Sequence, residues 1–233
     1  MPRRLGSAAT ALPRHARREA ARRGVPGTLG GSDGTLQSFK PYATGLRNSL
    51  ALAWVAPGVL LQGENSIDYP DENAPPEELN ALVAGADYGW PTCIGARQPA
   101  RGYEGRVDCT KTAAPALLWP AHVAPLQMLA VPASARNAFA GQLVVAWHGY
   151  RSAGHRVVSY ALDARGRPSG PPRVWIGGWN ALKGERPLGA PTGISVDSAG
   201  RLFVVEDRNR TLLMLTRDAA AAPAASAPAT TIR

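Results

Sequence analysis

PLQMLAVPASARNAFAGQLVVAWHGYRSAGHRVVSYALDARGRPSGPPRVWIGGW, residues 125–179, holds four apolar runs separated by turns. The run from Pro125 passes through the Gly-containing turn before Gln142 into the more apolar Gln142–Trp147. That pairing of short alternating runs across a turn reads as an antiparallel hairpin. His155–Asp163 then alternates polar and apolar positions, the period of a strand with one buried face. A Gly/Pro-rich turn, Arg165–Pro172, leads to a fourth run from Arg173. Four strands in succession form the meander of one propeller blade.

Working outward, the same hairpin recurs on both sides. The N-terminal copy is NSLALAWVAPGVLLQGE, residues 48–64, with Glu78–Gly85 and Ala116–Ala121 as its outer strands. The C-terminal copy is PTGISVDSAGRLFVVED, residues 191–207, with Thr211–Arg217 as a third strand. The stretch Leu36–Gly45 reads as the last strand of a preceding blade. The fold expected is all-β: a β-propeller of about three four-stranded blades, half of a six-bladed ring. Propellers close with four to eight blades, and each repeat needs a neighbour to bury its apolar face. The chain is therefore expected to be part of a longer protein, or to close by homo-oligomerisation.

Composition supports that class. Gly (25) and Pro (21) are abundant and charged residues are only 18%, which favours short strands and turns over helical bundles. The formal net charge of +9 does not mark a nucleic-acid binder. Met1–Gly24 holds seven arginines and one glutamate, leaving about +3 for everything that follows. Residues 1–35 read as an Arg/Ala/Gly-rich disordered extension, 36–217 as the partial propeller, and 218–233 as an Ala/Pro-rich disordered tail. No apolar run reaches transmembrane length, and the N-terminus lacks the apolar stretch of an export signal. Cys93 and Cys109 share one Gly/Pro-rich stretch. They read as a disulfide worth roughly 3 kcal/mol by loop closure, with two free thiols as the alternative. A zinc site is disfavoured for want of a second ligand pair.

Three ordered stretches carry a family resemblance: ATGLRNSLALAW (43–54), QGENSIDYPDENAPPEELNALVAGADYGWP (62–91), and PAHVAPLQM (120–128) followed by AWHGY (146–150). Together they resemble the glucose/sorbosone dehydrogenase family, propeller enzymes that use pyrroloquinoline quinone and calcium. The resemblance implies a quinoprotein oxidoreductase acting on the hydroxyl or hemiacetal carbon of an aldose or sorbosone. It implies an external electron acceptor, no nucleic-acid partner, and a periplasmic or secreted location.

The chemistry explains the residue types. The quinone carries three carboxylates, which guanidinium groups bind in bidentate fashion. By resemblance Arg47, Asn48, Gln62 and His148 contact the cofactor. An arginine that usually precedes the last blade's first strand is replaced here by Ala190, so Lys183 and Arg186 are the substitutes. Calcium polarises a quinone carbonyl and seeks oxygen ligands. The resemblance assigns it to the backbone carbonyls of Gly63 and Glu64, in the loop after the second strand. Glu77 matches an acid that orients the catalytic base. The base itself, a histidine of the N-terminal half in this family, has no counterpart here; His122 and His148 are candidates near the cofactor only. Two other classes remain. One is a non-enzymatic binding propeller; the other is a calcium-dependent lactonase-type hydrolase offering Glu64, Asn65 and Asp207. The Arg47–Asn48 pair beside the Gln62–Gly63 loop favours the quinone reading over both.

Overall fold

The three copies fold as three antiparallel sheets in a computed structural model that describes residues 40–177, Trp179 and 189–216. In chain order the strands are β1 (Asn48–Ala56), β2 (Val59–Asn65), β3 (Glu77–Leu82), β4 (Cys93–Ile94), β5 (Gln98–Pro99), β6 (Leu117–Trp119), β7 (Pro125–Ala130), β8 (Gln142–Trp147), β9 (Arg156–Leu162), β10 (Pro168–Ile176), β11 (Pro191–Val196), β12 (Leu202–Glu206) and β13 (Thr211–Leu215). The sheets run β1-β2-β3-β6, β7-β8-β9-β10 and β11-β12-β13, each a meander, with β4-β5 as a separate small ladder. The chain is a partial β-propeller, and no sheet closes on itself. No α-helix occurs among the described residues, and none of them forms a helix long and apolar enough to cross a membrane.

The described residues fall into two compact units. The smaller comprises 40–46 with 83–113, the larger 47–82 with 114–216. The smaller unit has little regular structure. It is tied by the Cys93–Cys109 disulfide, with Cα atoms 5.8 Å apart, and by the Asp108 carboxylate capping a 3-10 turn at Cys109–Lys111. Gly45 accounts for its own identity: it takes φ +70°, and a Cβ there would lie 2.0 Å from the Asp87 carboxylate.

The larger unit holds all three blades. Blade 1 presents Ala51, Ala53, Leu61, Leu79 and Trp119 to blade 2, which answers with Met128, Leu143, Val145, Trp147, Val158 and Tyr160. Trp119 meets Trp147 edge-on at 6.0 Å. The opposite face of blade 2 (Val144, Ala146, Val157, Ile176) packs on Ile194, Leu202 and Val204 of blade 3. Period-two alternation thus serves two cores at once: odd and even positions of β8 face different neighbours. Each Val, Leu, Ile or Met side chain so removed from water contributes about 1.5–3 kcal/mol, the alanines less.

Three sequence expectations need correction. Of the stretch Leu36–Gly45, the described part from Lys40 forms no strand, only a single parallel bridge from Thr44 to Asp87. β10 begins at Pro168, inside what reads as a turn. It lies at the outer edge of its sheet, where proline's missing N–H costs no ladder bond, and its register shifts between Ser169 and Arg173. Gly63 and Glu64 lie within β2, paired across to Leu79 and Glu78 of β3, not in the loop after it. The expected extension 1–35 and tail 218–233, with Lys183 and Arg186, lie outside the described residues.

Candidate functional site

The inner strands β1, β7 and β11 begin at one common end of the larger unit. Their first residues pair with the last residues of the next strand: Asn48 with Asn65, Pro125 with Trp147, Pro191 with Glu206. At each start the register shifts. Such bulges turn the backbone out of the ladder and leave N–H groups needing other acceptors. Buried glutamates supply them. Glu64 accepts from the Arg47 and Asn48 N–H groups at 3.0 and 2.7 Å, and from Ser49 Oγ and Gln62 Nε2 at 3.0 Å each. Glu77 accepts from the Ser66 N–H and from the Ala124 N–H just before β7. Glu206 accepts from the Ala190 N–H just before β11, and from those of Arg208 and Asn209.

Burial has an electrostatic consequence. It pushes the Glu64 carboxyl above its ordinary value, against the pull of its four donors. Burial pushes Glu77 up to about 7; the Ser66 and Ala124 N–H groups oppose this, and the charges of Glu64 and Asp68 add to it.

Above these anchors the rim carries the polar side chains. Arg47 is exposed, and its Nη1 donates to the carbonyls of Asn65 (3.0 Å) and Ser66 (2.7 Å). It therefore stands two residues from Gly63. His148 Nε2 lies 3.1 Å from Asp207 Oδ2 and 3.4 Å from the Tyr150 hydroxyl. Facing a carboxylate, Nε2 carries the hydrogen, so the neutral ring keeps its lone pair on Nδ1. His122 is buried with φ +62°. Its Nε2 sits 2.7 Å from the Asp71 carbonyl and must donate there, while Nδ1 is 3.3 Å from Asp68. Arg151 Nη2 donates to the Tyr69 carbonyl at 2.9 Å, and Nη1 to that of Asp71 at 3.2 Å, with Glu72 Oε1 at 3.4 Å.

The structure thus brings Arg47, Asn48, Gly63, Glu64, His122 and His148 to one end of one unit. It separates their roles more finely than their types do. Gln62 is fully buried, its amide bonded to Glu64 on one side and to Asn80 at 3.0 Å on the other, so it braces Glu64 from inside the sheet. The absence of a side chain at Gly63 has a packing reason: a Cβ would approach Ala51 and Pro125 to 3.1 Å. The Glu64 carboxylate, taken by four donors, is not offered to an ion, which weakens the hydrolase alternative. Glu77 anchors backbone, accepting from the Ser66 and Ala124 N–H groups. Arg151 and Tyr150 had no signal beyond following His148, and their partners lie up to 82 residues away.

The rim's charge can be set against the implied cofactor. Asp68, Asp71, Glu72 and Asp207 stand there with Arg47, Arg151 and, on the Asp207 turn, Arg208 and Arg210, so the count of charges does not by itself favour a divalent cation. A tricarboxylate bound with such a cation carries one net negative charge, which a single guanidinium offsets. The Arg47 guanidinium is a donor of the right kind for such an anion, whereas Gly63 and Glu64 lie in a strand paired on both sides.

The glucose/sorbosone dehydrogenase family model matches residues 33–167. The chain belongs to this family. Solved structures agree on the fold. The iodide structure of the Trichoderma reesei carbohydrate-active enzyme of family AA12 aligns with a TM-score of 0.62 at 22% identity, over 78% of this chain and 54% of its own. The holo form of the pyranose dehydrogenase PQQ domain from Coprinopsis cinerea aligns with a TM-score of 0.57 at 20% identity, over 80% and 56%. The chain spans about half the length of these structures. No curated protein matches it.

Proposed function

We propose that this member of the glucose/sorbosone dehydrogenase family contributes the C-terminal part of a quinoprotein sugar dehydrogenase site, oxidising the hydroxyl or hemiacetal carbon of an aldose or sorbosone. The observation that carries the reading is the position of Arg47. A guanidinium held on the Asn65 and Ser66 carbonyls stands beside the Gly63–Glu64 backbone, at the mouth of the inner strands. A guanidinium aimed away from that backbone would have left the quinone without its anchor.

Bound there, pyrroloquinoline quinone with calcium supplies a hydride acceptor with a polarised carbonyl. Everything else falls to the chain's own residues. Arg47 holds an anionic carboxylate by charge-assisted hydrogen bonds. Asn48, whose N–H is fixed on Glu64, opens β1 next to it. His148, oriented by Asp207, presents Nδ1 as an acceptor in the neutral ring. Lys183 and Arg186 are the further cations proposed for the cofactor carboxylates. The carbonyls of Gly63 and Glu64 are the proposed calcium ligands. Glu77 enters as the anchor beneath the rim. By the resemblance, the proton-accepting histidine belongs to the N-terminal half of such propellers, and electrons leave to an external acceptor in a periplasmic or secreted setting.

Calorimetric titration of the purified chain with pyrroloquinoline quinone tests the reading, with and without calcium. Saturable binding that strengthens with calcium is expected. Absence of binding in both conditions, from a protein with intact strand content by circular dichroism, would favour the binding-module class.

A further inference from the structure

Arg151 makes a set of contacts that the quinone reading does not require. Its guanidinium, from the loop between β8 and β9, crosses to the loop between β2 and β3 and grips the carbonyls on either side of Pro70, those of Tyr69 (2.9 Å) and Asp71 (3.2 Å). The Glu72 carboxylate, 3.4 Å away, adds charge pairing from the same loop. His122 seizes the Asp71 carbonyl from the other side at 2.7 Å. With hydrogen on that nitrogen, Arg151 Nη1, 3.1 Å away, lies beside the ring without donating to it.

The base of this grip is stiff. The Gly149 N–H bonds the Val123 carbonyl at 2.9 Å, the His148 N–H bonds that of Ala124 at 3.1 Å, and the His155 N–H closes the loop on Gly149 at 3.1 Å. A Cβ at Gly149 would stand 1.9 Å from the His122 carbonyl oxygen, and one at Gly154 2.0 Å from that of Gly149. The loop it holds has no ladder of its own. Between Asn65 and Glu77 it is irregular, carries Asp68, Asp71 and Glu72, and leaves β2 directly after the carbonyls that Arg47 contacts.

We propose that Arg151 is a positioning residue: by clamping the 66–76 loop to blade 2 it sets the Arg47–Asn65–Ser66 edge of the rim, and through it the affinity for the anionic cofactor. The proposal rests on the quinone reading, and its test keeps the two apart. A planar fork reaches two carbonyls at once, whereas a lysine ammonium reaches one acceptor at a time from a flexible stem. Arg151→Lys should therefore rescue only part of what Arg151→Ala loses. Arg173→Ala, on an outer strand over Trp175, is the control.

Two measurements on the intact chain decide it. The first is hydrogen exchange of the amides in 66–76, made without quinone. Arg151→Ala should speed it at least tenfold, Arg151→Lys less, and Arg173→Ala not at all. The second is quinone affinity by tryptophan fluorescence quenching with calcium present. It should fall about tenfold or more for Arg151→Ala and by less for Arg151→Lys, with the melting temperature of each close to that of the parent. Unchanged exchange in Arg151→Ala overturns the clamp. Faster exchange with unchanged affinity overturns the positioning role. Lysine performing as well as arginine overturns the two-carbonyl grip. A parent chain that takes up no quinone contradicts the functional reading, and the exchange result alone then upholds or overturns the clamp.

Discussion

Arg47 spends one nitrogen on two carbonyls, so its loss should be felt at the edge of the rim and not in the core. Arg47→Ala is expected to weaken quinone binding by more than about 1.5 kcal/mol, the low end for a charge-assisted contact. Unchanged affinity in the same titration removes Arg47 from the site. Glu77 gives a pH signature. Its folded pKa of about 7 lies above the ordinary carboxylate value of 4.5, so the folded state holds its proton more tightly than the unfolded chain does. That contribution to stability is complete below pH 4.5 and is lost as pH rises to 7, by about 3 kcal/mol at most. Urea unfolding at pH 5 and pH 8 should show a larger loss for the parent than for Glu77→Gln; equal losses would place the Glu77 titration elsewhere. The buried glutamates are the part of the site least legible in the sequence. A carboxylate that accepts from backbone N–H groups leaves no spacing rule behind. Glu64 and Gln62 also sit further inside than their types indicate, because β2 continues four residues past its apolar run Val59–Leu61.

Strands were legible where alternation or a continuous apolar run is long, as in β1, β8, β9 and β12, since each face must match a core. They were less so where edge position relaxes the rule, as at the proline-rich start of β10, or where a three-residue strand such as β6 is set mainly by its partner β3. Loops carry sharper constraints than strands. Gly149→Ala should destabilise by more than about 3 kcal/mol or prevent folding, because the added carbon meets backbone that cannot yield. Gly58→Ala, at φ +74° in open space, should cost only about 1 kcal/mol. Similar costs in a denaturant series would contradict the packing described around His122. In the smaller unit, reducing Cys93–Cys109 should remove up to about 3 kcal/mol of local stability, a loop of separation 16 being released. Exchange of the 83–113 amides with and without reductant measures it, and no difference would show that the loop is held by other contacts.

Across the three blades, the two outermost sheet faces differ from the inner ones. Leu50, Leu52 and Trp54 of β1 are 51–63% exposed, and so, at 49–66%, are Val205, Leu212 and Met214 on the far face of blade 3. Equivalent positions between blades are buried in the two cores. The chain should therefore bind an apolar dye such as anilinonaphthalene sulfonate, and Leu212→Ser with Met214→Ser should lower that signal; an unchanged signal would place the dye elsewhere. The architecture was legible because hairpins repeat at a spacing that sheets must obey. The cofactor rim was legible only in outline, since its geometry comes from contacts between residues far apart in sequence. Among the described residues a concavity lined by Trp54, Pro57, Val131, Leu162 and Gly166 opens at the opposite end of the strands from the rim. It gives the central claim a competitor. A crystal structure of the chain grown with pyrroloquinoline quinone and calcium compares the two ends directly. The account predicts planar density within hydrogen-bonding reach of Arg47, with an ion on the Gly63 and Glu64 carbonyls. Density confined to the Trp54 concavity, with none within reach of Arg47, would contradict it.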